Sequence, residues 1–172
     1  KSSFKEGYKI VSFYIDAESL IKRAYVLRQE GWREKENIGY YQRMFEAKKI
    51  SNMRKYLTEN SRVFINNIIS TIAENQIKLF DRKGNPIIIN DKGEFEGDNA
   101  STNVTPALIE INDECNIIGL IDGQHRTYAY HEGDDIYEPH IAKLRKIQNL
   151  LVTGILFPQK ESKESRLKFE AN

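Results

Sequence analysis

The chain has a single cysteine, Cys115, among 172 residues, so no internal disulfide can form, which fits a reducing compartment. Cys115 lies in an apolar, strand-like run and reads as packing, not as a nucleophile. No run approaches the roughly 18 consecutive apolar residues of a membrane-crossing helix. Residues 1–6 lead into a mixed segment without a signal-peptide pattern, so a cytoplasmic protein with no membrane partner is expected. An excess of one charge is also missing: the formal net charge is +1, and any contact with nucleic acid must come from a local patch. The three histidines, His125, His131 and His140, have no cysteine partners and no H-x-x-x-H spacing, which argues against a structural zinc site; no metal ligand is assigned. A phosphate-cradling G-x-x-x-x-G-K-[ST] loop and a G-x-S-x-G elbow are both absent.

What is present fits one globular domain, residues 1–172, with 40% hydrophobic and 30% charged residues and no internal repeat. Its organising stretch is residues 117–135, IIGLIDGQHRTYAYHEGDD. A short β-branched run reads as a buried strand and breaks at Asp122-Gly123. A helical spacing begins at Gln124 and is expected to close at Gly133. Asp122, Gln124, His125 and Arg126 thus sit where a strand turns into a helix start, an end whose unpaired N–H groups suit a phosphate. Equally, Asp122 could cap the helix, with His125 and Arg126 merely solvated. Asp134 and Asp135 are read as a solvated helix end in preference to a divalent-ion site.

Along the chain, residues 8–15 read as a strand and Asp16 as the cap of a helix carrying Leu20, Ile21, Ala24 and Leu27. Residues 28–39 form a charged loop in which Trp32 reads as a lid. Tyr40-Tyr41-Gln42-Arg43 precede a helix over residues 47–59, with Ile50, Met53 and Leu57 at i, i+3, i+7. Its cations Lys48, Lys49, Arg54 and Lys55 are candidate DNA-phosphate contacts. Residues 68–73 read as a strand, 77–80 and 86–89 as a hairpin across the turn 81–85, and 93–106 as a loop. Residues 107–111 and 115–121 read as two strands joined by a tight turn at Asn112-Asp113-Glu114.

Ile121-Asp122-Gly123-Gln124-His125-Arg126 resembles the signature of the DGQHR-domain family, which includes DndB-like regulators of DNA sulfur modification (phosphorothioation). It is similar, more distantly, to the D-G-Q-Q-R box of certain restriction enzymes and to the phosphate box of ParB. The Tyr-Gln-Arg at 41–43, the helix and strand after it, the strand at 149–158 and a helix beginning near 165–171 match that layout. The resemblance implies an α/β (α+β mixed) fold of the ParB/sulfiredoxin-like type, a small mixed sheet with packed helices. It also implies that the chain is the N-terminal fragment of a longer protein, so that Phe169 finds its partner elsewhere.

The function it implies is a nucleotide- or phosphate-binding regulatory domain of a DNA-modification or restriction system. Gln42, Arg43, Gly123, Gln124, His125 and Arg126 would bind phosphate. Asp122 and His125 are the catalytic candidates should nucleotide, with Mg²⁺ as companion ion, be hydrolysed. Nucleotide, DNA and other DNA-modification proteins are the expected partners. A non-enzymatic DNA-binding transcriptional regulator and a ParB-like nuclease are the alternatives. Residues 28–39 and 76–106 depart most from the family pattern.

Overall fold

A computed structural model describes residues 8–26, 46–90, 106–158 and 160–162. Gln42, Arg43, Trp32, most of the 93–106 loop and the 165–171 segment lie outside the described residues.

The fold is α/β, with a five-stranded mixed sheet and a separate two-stranded ribbon. Strand β1 (Lys9–Asp16) is followed by helix α1 (Ala17–Arg23) and a two-residue strand β2 (Ala24–Tyr25). Asp16 caps α1 as its sequence position suggests, its Oδ1 accepting from the Ser19 N–H at 2.8 Å. Helix α2 (Ala47–Asn60) leads to β3 (Ile68–Ala73) and β4 (Ile77–Phe80). Then come β5 (Leu108–Ile111), β6 (Ile118–Asp122), α3 (Gln124–Tyr128), α4 (Glu138–Ile147) and β7 (Asn149–Phe157). The sheet order is β1-β7-β3-β6-β2. β1/β7 and β3/β6 are antiparallel, β3/β7 and β2/β6 parallel.

One face of this sheet carries the core. Phe13, Ile68, Ile72, Ile118, Leu120, Leu150, Val152 and Leu156 project from the strands onto Leu20, Leu57, Ile141 and Leu144 of the helices. Strand side chains alternate between faces, so Tyr8, Ile155 and Phe157 form a second, smaller cluster on the other side. No helix among the described residues is long and apolar enough to cross a membrane.

Several expectations need correction. Cys115 is exposed, at a turn before β6 and not inside it, so it does not pack the core. The strands at 108–111 and 118–122 are not neighbours: β5 pairs with β4, and β6 lies between β3 and β2. The expected hairpin survives only as its turn, with Gly84 at φ +86°, plus a bridge between Phe80 and Pro86. β5 pairs with β4 on the edge opposite the one where Pro86 and Ile87 lie.

The helix begun at Gln124 stops at Tyr128, well short of Gly133. The reason is chemical. The carbonyls of Ala129, Tyr130 and His131 are taken by two buried arginines, Arg54 from α2 and Arg145 from α4. Charged donors so placed satisfy carbonyls at a helix end and fix the chain in a turn. Asp134 and Asp135 are exposed as expected, but they lie beyond the end of α3, and both carboxylate oxygens of Asp135 accept from Arg54.

Candidate functional site

β6 delivers the D-G-Q-H-R box to one end of the sheet. Gly123 sits at φ +89°, a left-handed conformation that side chains disfavour and glycine adopts freely. It also lies hard against β3: a Cβ there would be 2.8 Å from Ile68 Cγ1 and 3.3 Å from Ile68 Cα. The turn therefore needs glycine twice over, for its backbone angle and for its space. Thr127 closes the first turn of α3, its N–H and hydroxyl both donating to the Gly123 carbonyl.

Asp122 does not cap α3; the N-cap is Gly123, with no side-chain bond. Instead the Arg126 Nη2 donates to Asp122 Oδ2 at 3.1 Å and to the Asn67 carbonyl at 2.9 Å. One guanidinium thus ties the end of β6 to the start of β3. Its Nε is buried with no partner, as is the Asn67 Oδ1. Asn67 Nδ2 in turn donates to Thr153 Oγ1 at 2.7 Å on β7. No spacing or motif singles out Asn67 in the sequence, because its contribution is a main-chain carbonyl presented by β3.

Gln124 and His125 are buried, not solvated. The backbone N–H of Glu46 donates to His125 Nε2 at 3.2 Å. That nitrogen must be unprotonated to accept, so the ring proton sits on Nδ1 when neutral. Glu46 is the N-cap residue of α2, and its own side chain makes no capping bond. The box is therefore joined to the start of α2, three residues after Arg43.

Of the cations on α2, Lys48, Lys49 and Lys55 are exposed, and Lys55 is 3.7 Å from Glu59. Lys48 and Lys49 stand in the first turn, which has no acidic residue although the helix dipole favours negative charge there. Arg54 is not a DNA contact. It is 1% exposed and makes five hydrogen bonds, to Asp135 Oδ1 and Oδ2, Glu138 Oε2 and the carbonyls of Ala129 and His131. A guanidinium has five N–H donors, so none remains for a phosphate.

The hydrogen bond from Arg54 holds the Asp135 carboxyl below its ordinary range, against the opposing effect of burial. Burial alone would raise the Glu138 carboxyl, but hydrogen bonds from Arg54 and Arg145 outweigh it and the net shift is downward. Arg145 meets the other oxygen of Glu138 at 2.7 Å, so a single carboxylate bridges two buried guanidiniums. The network anchors the segment that follows the box, while Asp122, Gly123 and Arg126 shape the box itself.

Two clefts, each of about 270 Å³, lie away from the box. One is bordered by the Lys9–Glu74 ion pair and the β4 ribbon, the other by Tyr14, Asp16 and Arg23. No group of three or more histidine, cysteine, aspartate or glutamate side chains among the described residues is arranged to hold a metal. No protein-family model matches the chain, and no curated protein or solved structure matches it either.

Proposed function

We infer that this chain is a phosphate- or nucleotide-binding regulatory domain of a cytoplasmic DNA-modification or restriction system, a DGQHR domain of the DndB-like kind with a ParB/sulfiredoxin-like fold. The observation that carries the reading is the His125–Glu46 hydrogen bond. It sets the start of a 14-residue helix, with Lys48 and Lys49 in its first turn, against the box. A helix N-terminus with two lysines in its first turn is favourable ground for an anion, against the opposing charge of the exposed N-cap Glu46. The phosphate seat of this reading is thus the α2 start, with α3, only five residues long, as its wall.

Arg126 is the charged donor of the box, its Nε buried without a partner, and Arg43, which lies outside the described residues, is assigned to the phosphate by the resemblance alone. Asp122 acts by orienting Arg126, and any Mg²⁺ would arrive with the phosphates it accompanies. His125, whose Nε2 already accepts from α2, serves as a structural wall before it serves as an acid or base. Nucleotide occupancy would be reported to DNA or to partner modification proteins through α2.

A thermal-shift screen of nucleotides followed by calorimetry tests this. Arg126→Gln should weaken triphosphate binding by roughly 1.5–3 kcal/mol, the scale of a charged hydrogen bond. Undiminished binding by that variant would remove Arg126 from the site. A second reading, a DNA-binding regulator, draws on the exposed Lys48, Lys49 and Lys55. In that case no nucleotide raises the melting temperature, and each lysine replaced lowers the slope of log affinity against log salt by about 0.9.

A further inference from the structure

The two edges of the main sheet are built differently. β2 has two residues, too few to template another strand. β1 has eight, in unbroken register with β7 from Lys9↔Leu156 to Asp16↔Asn149, with no bulge and no proline. Proteins normally blunt such an edge with prolines, bulges or free charges. Here both charged residues sit at the ends and are already engaged. Lys9 is buried in an ion pair with Glu74, and Asp16 caps α1. Residues 10–15 are uncharged, and among the described residues no strand pairs with the outer side of β1. On the face opposite the helices, Ile10 is 44% and Tyr14 70% exposed, with Ser12 exposed between them.

We propose that β1 is a self-association edge, pairing antiparallel with β1 of a second copy about a twofold axis at Ser12, so that one sheet runs through both copies. The order Ile10-Val11-Ser12-Phe13-Tyr14 is two β-branched residues, a serine and two aromatics. With Ser12 facing Ser12, Ile10 meets the second copy's Tyr14, and Val11 meets the second copy's Phe13, each twice. The two pairs on either side of the axis then set a β-branched residue against an aromatic one, among the favourable cross-strand combinations, and the next pair out sets Lys9 against Ile15. A twofold axis normal to the sheet keeps the faces matched: Ile10 with Tyr14 on the open face, Val11 with Phe13 on the core face. A register centred on Phe13 would instead oppose Ile10 to Asp16 and Ser12 to Tyr14. An unrelated strand could use the same backbone hydrogen bonds, but this side-chain match belongs to a second copy. The edge is far from any role of the box and does not depend on it.

Sedimentation equilibrium of the 172-residue chain, from micromolar to millimolar concentration, reads the association directly. The natural chain should form a reversible dimer. Ile10→Lys with Tyr14→Lys sets lysine against lysine in both outer pairs and should raise the dimer dissociation constant at least about tenfold, since like charges directly opposite destabilise a sheet. Ile10→Lys with Tyr14→Glu sets lysine against glutamate in the same pairs and should restore association. A natural chain that stays monomeric, or association indifferent to the lysine pair, overturns the proposal. So does a lysine–glutamate variant no better than the lysine–lysine one. If circular dichroism shows the double variants unfolded, Ser12→Cys with Cys115→Ser decides. Mild oxidation should give a disulfide-linked dimer, and a product that remains monomeric counts against the edge.

Discussion

His125 and Glu46 are 79 positions apart and meet through a 3.2 Å hydrogen bond from the Glu46 backbone N–H to the imidazole Nε2. A side chain of the box thereby satisfies one of the orphan donors at the start of α2. Helix and box share one boundary, so a change at either is felt at the other.

That coupling is measurable. His125→Ala removes the acceptor, at a cost of about 0.5–1.5 kcal/mol for a neutral hydrogen bond. Native-state hydrogen exchange should show the Glu46 amide losing protection by roughly tenfold, with β7 amides changing only by the global loss of stability. Unchanged exchange at Glu46 would mean the bond is not maintained in solution.

Arg54 predicts a larger effect. Truncating it takes the charged donor from Asp135 and from the Ala129 carbonyl, and leaves Arg145 as the charged donor to Glu138 and the His131 carbonyl. Breaking a buried ion pair from one side costs about 3–5 kcal/mol, so Arg54→Ala should shift the urea midpoint strongly downward or prevent folding. The exposed Lys55→Ala, whose partner Glu59 is also exposed, should change stability by under about 1 kcal/mol. Similar costs for the two would contradict the burial of Arg54.

The same network sets an acid limit. Asp135 and Glu138 are both held below their ordinary ranges in the folded chain. A depressed carboxyl adds stability above its unfolded value, near about 4, and that stability is lost as pH falls through the lower folded value. Urea midpoints should therefore decline from about pH 5 downward through this linkage. Arg54→Met should flatten the decline, because the hydrogen bond from Arg54 is the leading cause for Asp135. A slope unaltered by the substitution would assign acid lability to other carboxylates.

The sequence showed β1, α2, β3 and β7 to within a residue or so, because each has a clear period or a cap, whereas α1 starts at its expected cap but stops at Arg23, with Ala24 of its expected stripe in β2. Arg54 was legible in principle: it follows Ile50 by four residues and precedes Leu57 by three, placing it on the inward stripe of α2. Its charge pointed the other way, since the partners that make its burial tolerable lie 81 and 84 residues downstream. The same distance hid the stop of α3 at Tyr128, where side chains from two other helices end the run. α4 begins at Glu138-Pro139, a favourable start, yet only Ile141 and Leu144 are buried on it with Arg145, so its apolar stripe is thin. The pairing of β4 with β5 spans the 93–106 segment, and no local pattern encodes a contact across such a gap. Within the box, the turn and its glycine were legible, but the tie from Arg126 to Asn67 depends on the position of β3 and was not.

Gly123 offers the most direct test of the box. Its φ of +89° costs an L-residue roughly 1–2 kcal/mol on backbone grounds alone. A methyl group would also collide with Ile68, at 2.8 Å from Cγ1 and 3.3 Å from Cα. The side-chain atom could rotate away, but the Cα belongs to β3 and is held by pairing on both sides. Gly123→Ala should therefore cost more than the backbone strain, about 2–3 kcal/mol in all, within the range for overpacking at a special backbone position. Gly84 is the internal control. It too has a positive φ, at +86°, but a Cβ there meets nothing within 4 Å, so Gly84→Ala should show the strain without the collision. Comparing the two variants by chemical denaturation separates the terms: the excess at Gly123 measures how closely the box is pressed onto β3. In a double-mutant cycle with Gly123→Ala, Ile68→Ala, which removes Cγ1, should recover part of that excess if the collision is with the side chain. No recovery would leave the excess to the Ile68 backbone and to Arg126 Nη2, 3.0 Å from the added Cβ.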